Sequence, residues 1–267
     1  MTASDLAPSA VLPVLATRRL GRAYESLPAC ASTNDEVAVR AAAGAAEGLV
    51  VTAELQTGGR GRRGRSWHSP CGENLYASLL LRPALPVRLA APLTLLAGAA
   101  MAEALSAIGF SPRLKWPNDV LLDTPAGLRK VAGILAEMAS DGDRVRHVVL
   151  GVGVNVNGQE FPGQLAQVAT SLRLMRGSDL DRGTVLAAFL DAFEPIYDEF
   201  LAAGPGPGLA AWHAHAMLGN RCWIGHEGGR IEGTALGADD SGALLVDTGT
   251  GGTVAVHAGE VNWLPGM

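Results

Sequence analysis

Residues 59–67 read GRGRRGRSW and lie between two predicted strands, at residues 48–55 and 74–81. Glycine lets a backbone bend sharply and approach a ligand closely, and arginine offers a planar, permanently charged fork that matches phosphate and carboxylate groups. The segment therefore predicts a loop that closes over an anionic group, with Trp67 as an apolar anchor or stacking surface. It is neither a Walker A loop nor a dinucleotide fingerprint. A solvated basic loop or a nucleic-acid patch is the alternative interpretation.

The composition favours one large domain, or a large and a small one, with a sizeable core. Hydrophobic residues make up 48% of the 267 residues and charged residues 18%, which is unlike a disordered chain. The net charge of −5 argues against a general nucleic-acid coat, which carries a basic excess. Cys30, Cys71 and Cys222 lie far apart in the sequence, so they predict neither a disulfide framework nor a CxxC metal site.

The chain is expected to be soluble and cytoplasmic, with no membrane association. Its N-terminus lacks the basic region and the apolar region that make up a signal peptide. The apolar stretch 89–105 is interrupted by Pro92, Thr94 and Glu103. It therefore suits a buried helix better than a membrane span.

The order of the predicted elements indicates the fold class. Helices are predicted at residues 36–46, with Ser32 or Thr33 as the N-cap, and at residues 88–109 and 182–202. Strands are predicted at residues 48–55, 74–81, 114–122, 131–138 and 145–156. Because several strands follow one another without an intervening helix, we predict an antiparallel or mixed sheet in an α+β fold.

The pattern changes near residue 218, where short strands alternate with glycine and Asp/Ser turns. These strands are predicted at residues 222–224, 230–236, 243–246 and 253–256. They indicate a small β-barrel, which is too small for a large core of its own and should dock on the main domain. We therefore divide the chain into domains at residues 1–217 and 218–267.

Three further segments carry groups suited to a ligand site. The run KWPND, residues 115–119, brings a lysine, an amide and a carboxylate together, and Asp119 could hold Mg²⁺ because hard cations prefer oxygen. A turn with a packed tryptophan is the alternative. Lys130 precedes an apolar strand and either faces a ligand or is simply solvated. Gly151 and Gly153 share one strand face, which favours close approach of a ligand or tight sheet packing.

Together and in this order, the segments resemble the biotin protein ligase family, over about residues 30–264. The matching motifs are Ser32-Thr33-Asn34, Gln56 with GRGRRGRSW, KWPND, Lys130 with Gly133-Ile134-Leu135 and Glu137, and Gly151, Gly153 and Asn155. The resemblance implies a catalytic domain with a mixed sheet and helices, similar to class II aminoacyl-tRNA synthetases and lipoate ligases. It also implies a small C-terminal SH3-like β-barrel.

The resemblance further implies an enzyme, a biotin–[biotin carboxyl carrier protein] ligase. Such an enzyme uses ATP to convert biotin to biotinyl-5'-adenylate, releases pyrophosphate, and transfers biotin to a lysine of the carrier domain of a biotin-dependent carboxylase. Arg62 and Lys130 match the catalytic positions. The residues implied at biotin are Ser32, Thr33, Asn34, Gln56, Arg60, Gly61, Arg62, Tyr76, Ser78, Lys130, Gly133, Gly151 and Gly153. Those implied at ATP are Arg60, Arg62, Arg65, Trp67, Lys115, Asn118, Asp119, Lys130 and Asn155, with Asp119 also near Mg²⁺.

Two expectations concern the type of family member. Ser32 comes too early to follow the DNA-binding helix-turn-helix that some members carry, so we expect the monofunctional type, without DNA binding, as a monomer or weak homodimer.

A lipoate or octanoate ligase or transferase shares the fold and is the nearest alternative, and a biotin-responsive binding protein without catalysis is another. The arginine-rich loop combined with KWPND argues against the first, and intact Lys130, Arg62 and Asp119 argue against the second.

Overall fold

A seven-stranded mixed sheet forms the centre of the larger part of the chain in the computed structural model, which describes residues 4–226, 229–249 and 251–264. The strands are β1 (Tyr24–Leu27), β2 (Val50–Ala53), β3 (Leu75–Leu81), β4 (Pro112–Lys115), β5 (Asp119–Thr124), β6 (Gly127–Asp141) and β7 (Arg144–Val154). Their spatial order is β1-β2-β3-β7-β6-β5-β4. β1 and β2 pair in parallel, and the other neighbours pair antiparallel. The predicted mixed sheet and α+β class are confirmed.

Helices cover the sheet and join its strands. They are α1 (Pro8–Val11), α2 (Thr33–Ala42), α3 (Pro92–Ala107), α4 (Leu165–Val168), α5 (Leu172–Arg176), α6 (Arg182–Ala203) and α7 (Gly206–His215), with 3₁₀ turns at Arg62–Gly64 and Val87–Leu89. Val87–Ala107 is long and apolar enough to cross a membrane by composition alone. It lies largely buried, because α3 packs against α6 and α7 in the core. Core packing therefore explains its apolar character.

Most predicted boundaries differ from the structure by a few residues, and two differences have a local explanation. The predicted strand at residues 114–122 is in fact two antiparallel strands, β4 and β5, joined by a tight connection at residues 116–118. Pro117 lies in this connection and has no N–H to donate to a ladder, which favours a break in the strand. Helix α2 begins at Thr33, earlier than the predicted residue 36. Ser32 is its N-cap, although the Ser32 side chain makes no capping hydrogen bond.

The C-terminal residues form a separate antiparallel sheet of five strands. These are β8 (Arg221–His226), β9 (Gly229–Ala238), β10 (Leu244–Asp247), β11 (Thr253–Val256) and β12 (Val261–Trp263), in the order β11-β10-β9-β8-β12. The sequence predicted the first four and missed β12. Within the residues that the structure describes, no pairing joins the edge strands β11 and β12, so the sheet is open rather than a closed barrel. Residues 265–267 of the predicted domain lie outside the described residues.

The C-terminal sheet docks on the larger part of the chain close to the KWPND segment. The indole nitrogen of buried Trp116 donates a hydrogen bond of 3.0 Å to the carbonyl oxygen of Gly242. The backbone nitrogen of Met217 donates to the carbonyl of Leu114 at 3.0 Å. The packed tryptophan considered as the alternative role of this motif is therefore present. It fixes the C-terminal sheet beside the remaining residues of the motif.

Candidate active site

A cavity of about 500 Å³ lies between the mixed sheet, the 59–67 loop and the C-terminal sheet. A volume of this size suits a small-molecule ligand. The predicted site residues converge on it from widely separated parts of the chain. Those that line it are Ser32, Thr33, Asn34, Gln56, Arg60, Gly61, Arg62, Arg65, Trp67, Tyr76, Lys115, Asn118, Asp119, Lys130, Gly133, Gly151, Gly153 and Asn155. Ser78 is absent from this lining and lies behind it.

One end of the cavity has a buried, hydrogen-bonded polar wall at the start of α2. The Ser78 hydroxyl lies 2.5 Å from Asn34 Oδ1 and 2.7 Å from Thr33 Oγ1. The side-chain oxygen of Gln56 accepts a hydrogen bond of 2.8 Å from the Thr33 backbone nitrogen. Asn34 Nδ2 donates to Glu137 at 2.6 Å. Because each group is held by another, this wall presents amides and hydroxyls in fixed directions, which suits a neutral polar ligand.

The strand glycines provide room for three side chains of the site. A methyl group on Gly151 would overlap the amide oxygen of Asn34, and one on Gly153 would lie 2.6 Å from Cε2 of Trp67. A methyl group on Gly133 would lie 3.0 Å from Cε of Lys130. The sheet surface is therefore bare at these positions so that Asn34, Trp67 and Lys130 can lie directly on it. The glycines thus allow tight packing of side chains on the sheet, and the same glycines line the cavity.

The other end of the cavity is cationic. Lys130 Nζ lies 2.5 Å from a carboxylate oxygen of Asp119 and 5.2 Å from the centre of the Trp67 ring. The Lys130 side chain is 29% exposed, so it is held in the cavity and is not a freely solvated strand-end lysine. The indole nitrogen of Trp67 is buried and has no hydrogen-bond partner among the described residues. An anionic ligand here would meet the ammonium group directly.

The glycine–arginine loop closes one side of the cavity. Arg60 binds both carboxylate oxygens of Asp35, at 2.8 and 2.6 Å, and these hydrogen bonds lower the pKa of Asp35. Arg62 is half-buried, and burial, followed by repulsion from Arg63, lowers the pKa of its guanidinium. Arg63 is exposed and has φ +56°. Within the described residues no carboxylate pairs with Arg62 (Arg65 binds Glu260), so Arg62 is free to bind an incoming anion.

Three predicted residues also make structural contacts. Asn118 Nδ2 donates to the Ile134 carbonyl at 2.9 Å, and Asn155 Nδ2 donates to the Thr170 carbonyl at 3.0 Å. The Tyr76 hydroxyl donates to the Pro70 carbonyl at 2.9 Å. These contacts use the hydroxyl hydrogen of Tyr76 and one of the two amide hydrogens of Asn118, and the Asn155 amide also lies 3.5 Å from the Lys130 carbonyl. A ligand would therefore meet the amide oxygen of Asn118 or Asn155, the second N–H of Asn118, or the ring of Tyr76.

Several lining residues were not predicted from the sequence. An apolar wall comes from the stretch around α4, where Leu165 and Val168 are exposed and Phe161 is half-buried. The C-terminal sheet contributes Glu260 and Trp263. For the residues around α4, the available sequence signal was a short apolar stretch next to proline and glycine, FPGQLAQV at residues 161–168. No local pattern indicates Glu260 or Trp263, because they reach the cavity only through the docking of the two sheets.

The acidic residues of the cavity limit how a metal ion could bind. Among the described residues no group of three histidine, cysteine, aspartate or glutamate side chains could hold a metal. Asp119 and Glu260 are the acidic lining residues. Mg²⁺ is commonly held by one or two carboxylates together with substrate phosphates. The site therefore fits a magnesium ion that arrives with a nucleotide, with Asp119 as a protein ligand.

Comparison with known proteins agrees with this geometry. The model of the Biotin/lipoate A/B protein ligase family matches residues 30–155, and that of the Biotin protein ligase C terminal domain matches residues 217–262. The biotin--[acetyl-CoA-carboxylase] ligase of Mycobacterium tuberculosis is 38% identical over 239 residues, which cover 86% of this chain and 85% of the relative. The bifunctional ligase/repressor BirA of Bacillus subtilis is 40% identical over 78% of this chain, but the match spans only 64% of that relative's length.

A solved structure shares the fold over most of both chains. The biotin protein ligase from Aquifex aeolicus in complex with biotin and ATP superposes with a TM-score of 0.77 and 29% identity, over 91% of this chain and 99% of that one. With the Mycobacterium relative matched over 85% of its length at 38% identity, the chain belongs to the biotin protein ligase family.

Proposed function

We propose that this chain activates biotin with ATP to form biotinyl-5'-adenylate and transfers the biotinyl group to a lysine of a biotin carboxyl carrier domain. The observation that carries the proposal is the shape of one cavity with two different ends. A hydrogen-bonded polar wall at Thr33, Asn34 and Gln56 lies beside a cationic end at Lys130 and Arg62. Biotin and ATP are the two ligands of the Aquifex relative, and they match these two ends.

The polar wall binds the bicyclic ring of biotin. That ring is neutral and carries urea N–H and C=O groups, so it needs hydrogen-bonding partners in fixed directions within an otherwise apolar pocket. Ser32, Thr33, Asn34 and Gln56 supply such partners, and Gly151 leaves space beside Asn34. Ser78 acts from behind the wall, because its hydroxyl holds Asn34 and Thr33 in place.

The cationic end performs the adenylation. An oxygen of the biotin carboxylate attacks the α-phosphorus of ATP, the bond from that phosphorus to the bridging oxygen breaks, and pyrophosphate leaves with the electron pair. Two anions must approach each other in this step. Lys130 and Arg62 offset their repulsion and stabilise the charge that develops in the transition state. The nearby Arg60, Arg65, Trp67, Lys115, Asn118 and Asn155 surround the nucleotide.

Magnesium fits the proposal as a companion of ATP. Asp119 would hold it, and the ion would supply charge neutralisation for the phosphates. Asp119 binds Lys130 in this structure, so its carboxylate lies next to the place proposed for the phosphates. When Asp119 binds the ion instead, Lys130 becomes available to the biotin carboxylate and the α-phosphate.

The second step transfers biotin to the carrier. The amine of the acceptor lysine attacks the carbonyl carbon of the mixed anhydride, an amide bond forms, AMP leaves with the electron pair, and the amine loses a proton. Water would destroy the anhydride, so the adenylate must stay shielded until the lysine arrives. The 59–67 loop and the apolar wall at Phe161, Leu165 and Val168 supply this shield.

The carrier domain of a biotin-dependent carboxylase is the proposed partner, since the Mycobacterium and Paracoccus denitrificans relatives are named biotin--[acetyl-CoA-carboxylase] ligases. The further elements of the proposal are the domains at residues 1–217 and 218–267, an SH3-like class for the second, a cytoplasmic location, and a monomer or weak homodimer that does not bind DNA. The match of the C-terminal domain model at residues 217–262 supports the domain division.

One assay series tests the activity. Biotin-dependent exchange of pyrophosphate into ATP, followed by labelling of a biotin carboxyl carrier domain, should both occur. Exchange with lipoate in place of biotin would indicate a lipoate ligase, and biotin binding without exchange would indicate a binding protein. An electrophoretic shift with biotin and ATP present should show no DNA complex.

A further inference from the structure

Arg65 in the glycine–arginine loop binds Glu260, which immediately precedes β12 of the C-terminal sheet. Both guanidinium nitrogens of Arg65 donate to the Glu260 carboxylate, one of them at 3.0 Å and the other as a close ion pair. The two residues are separated by 195 positions in the sequence, and both line the cavity. The pair therefore joins the loop to the C-terminal part of the chain beside the cavity.

The charges around the cavity leave Glu260 in an unusual position. The lining contains six basic residues, Arg60, Arg62, Arg63, Arg65, Lys115 and Lys130, against two acidic ones, Asp119 and Glu260. Asp119 pairs with Lys130, so Glu260 provides the second negative charge in this cationic enclosure. Hydrogen bonding to Arg65 lowers the pKa of Glu260, and the charges of Arg65, Lys115 and Arg63 add to the effect. Glu260 therefore lies where several cations converge on one anionic group.

A residue of the adjacent strand β12 indicates that a ligand group belongs here. Trp263 lines the cavity, and its indole nitrogen is buried without a hydrogen-bond acceptor among the described residues. A buried N–H without a partner is costly unless a ligand or water satisfies it. Trp263 thus brings one free N–H donor to the cationic part of the cavity, and Glu260 brings one carboxylate that a ligand anion could replace.

Building on the proposed function, we propose that Glu260 is a placeholder anion. It occupies Arg65 in the nucleotide-free protein, and a phosphate group of ATP displaces it. The exchange breaks the Arg65–Glu260 pair while the C-terminal sheet stays attached through Trp116 and Gly242. Glu260 is thus a positioning residue that holds Arg65 ready and competes with the nucleotide for it.

The variant Glu260→Gln tests the competition, with ATP binding measured by titration calorimetry in the absence of biotin so that no reaction occurs. Removing the competing charge should tighten ATP binding by about two- to fivefold, the effect expected for a partly exposed ion pair. Biotin affinity should not change. Glu260→Asp, which keeps the carboxylate, should restore wild-type ATP binding. Glu232→Gln is the matched control, since Glu232 pairs with Arg221 elsewhere on the same sheet.

The double variant Arg65→Gln with Glu260→Gln locates the effect. If the competition acts through Arg65, then Glu260→Gln should tighten ATP binding only when Arg65 is present. Weaker or unchanged ATP binding in Glu260→Gln would overturn the inference, because Glu260 would then only brace the loop. Wild-type exchange of pyrophosphate is measured separately. If wild-type protein catalyses exchange but Glu260→Gln has no effect on ATP binding, the inference fails and the proposed function stands. If wild-type protein neither binds ATP nor catalyses exchange, both fail.

Discussion

The ammonium group of Lys130 lies 2.5 Å from the carboxylate of Asp119, directly beside the ring of Trp67. The three residues come from three segments, namely the start of β5, an early position in β6, and the end of the glycine–arginine loop. Lys130 pairs with Leu121 across a register shift in the β5–β6 ladder. The hairpin between these strands thus brings the lysine and the aspartate together. An anionic ligand reaches Lys130 in competition with Asp119.

Replacing Lys130 with methionine removes the charge and keeps most of the side-chain volume. We expect biotin-dependent pyrophosphate exchange to fall by about 100- to 1000-fold, the usual effect of losing one donor that stabilises transition-state charge. Thermal unfolding should show that the variant is folded. Lys130→Arg keeps the charge in a different shape and should recover part of the activity. Exchange by Lys130→Met within threefold of wild type would exclude a catalytic role for Lys130.

Alanine substitutions at two neighbouring glycines should affect the binding of biotin and of ATP separately. In Gly151→Ala the new methyl group meets Asn34, and in Gly153→Ala it meets Trp67. We therefore expect Gly151→Ala to weaken biotin binding and Gly153→Ala to weaken ATP binding. Overpacking of about 1–3 kcal/mol corresponds to about 5- to 150-fold. Calorimetric titration of each ligand measures the effects.

A third glycine supplies the control for this pair. Gly225→Ala in β8 would have its nearest contact at 3.6 Å, an ordinary packing distance, and should change neither affinity. If Gly151→Ala and Gly153→Ala weakened both ligands equally, the assignment of biotin and ATP to opposite ends of the cavity would be wrong.

Local sequence patterns predicted the longer strands and helices because their cause is local, but they did not predict β1 or the short helices α1, α4 and α5. The apolar run of β3 and the valine-rich run of β7 follow from burial in the sheet, and α3 is apolar because it is buried. The division between β4 and β5 was missed because the apolar residues on both sides of the Pro117 turn read as one run. β12 has only three residues, Val261–Trp263, which is too short for a pattern to register.

The site residues also divide into those that local motifs predict and those that depend on how distant parts of the chain pack together. Motifs such as GRGRRGRSW and KWPND could be compared with a family, so most of the residues named in advance line the cavity. The contact from Arg65 to Glu260 depends on how two sheets dock, and no sequence period connects residues 195 positions apart. Arg60 lines the cavity, and its guanidinium binds Asp35, a partner that the sequence did not indicate. A charged side chain can reach several partners, and only the packed structure selects one of them.

Replacing Arg62 with glycine should loosen retention of the adenylate. Arg62 is half-buried and unpaired among the described residues, so its guanidinium can bind the phosphate of the intermediate. Losing a charge-assisted hydrogen bond of about 1.5–3 kcal/mol corresponds to release about 10- to 150-fold faster. The released biotinyl-adenylate should biotinylate lysines of an added bystander protein, which is detected by streptavidin blotting.

The neighbouring Arg63 provides the control for Arg62. Arg63 has φ +56°, a conformation that glycine adopts without strain, and its side chain is exposed. Arg63→Gly should therefore keep the loop conformation and retain the intermediate as wild type does. Equal bystander labelling by the two variants would mean that loop flexibility, and not the Arg62 guanidinium, controls release.

Glu194 in α6 stabilises the N-terminal segment and should make stability depend on pH. Its buried carboxylate accepts backbone hydrogen bonds from Arg18 at 2.6 Å, Arg19 at 2.9 Å and Leu20 at 2.7 Å. Burial opposes ionisation, but these hydrogen bonds outweigh it and lower the pKa of Glu194 below its ordinary 4.5. Ionised Glu194 stabilises the fold at pH values above the ordinary pKa, and this contribution is lost as the pH falls through the lowered pKa of the folded protein.

Glu194→Gln should therefore reduce the free energy of unfolding by about 1–3 kcal/mol at neutral pH. The difference from wild type, measured by urea denaturation, should narrow below pH 4.5. Glu199→Gln, on an exposed position of the same helix, should have little effect at any pH, and a loss for Glu194→Gln that stayed constant with pH would show that packing rather than charge is responsible.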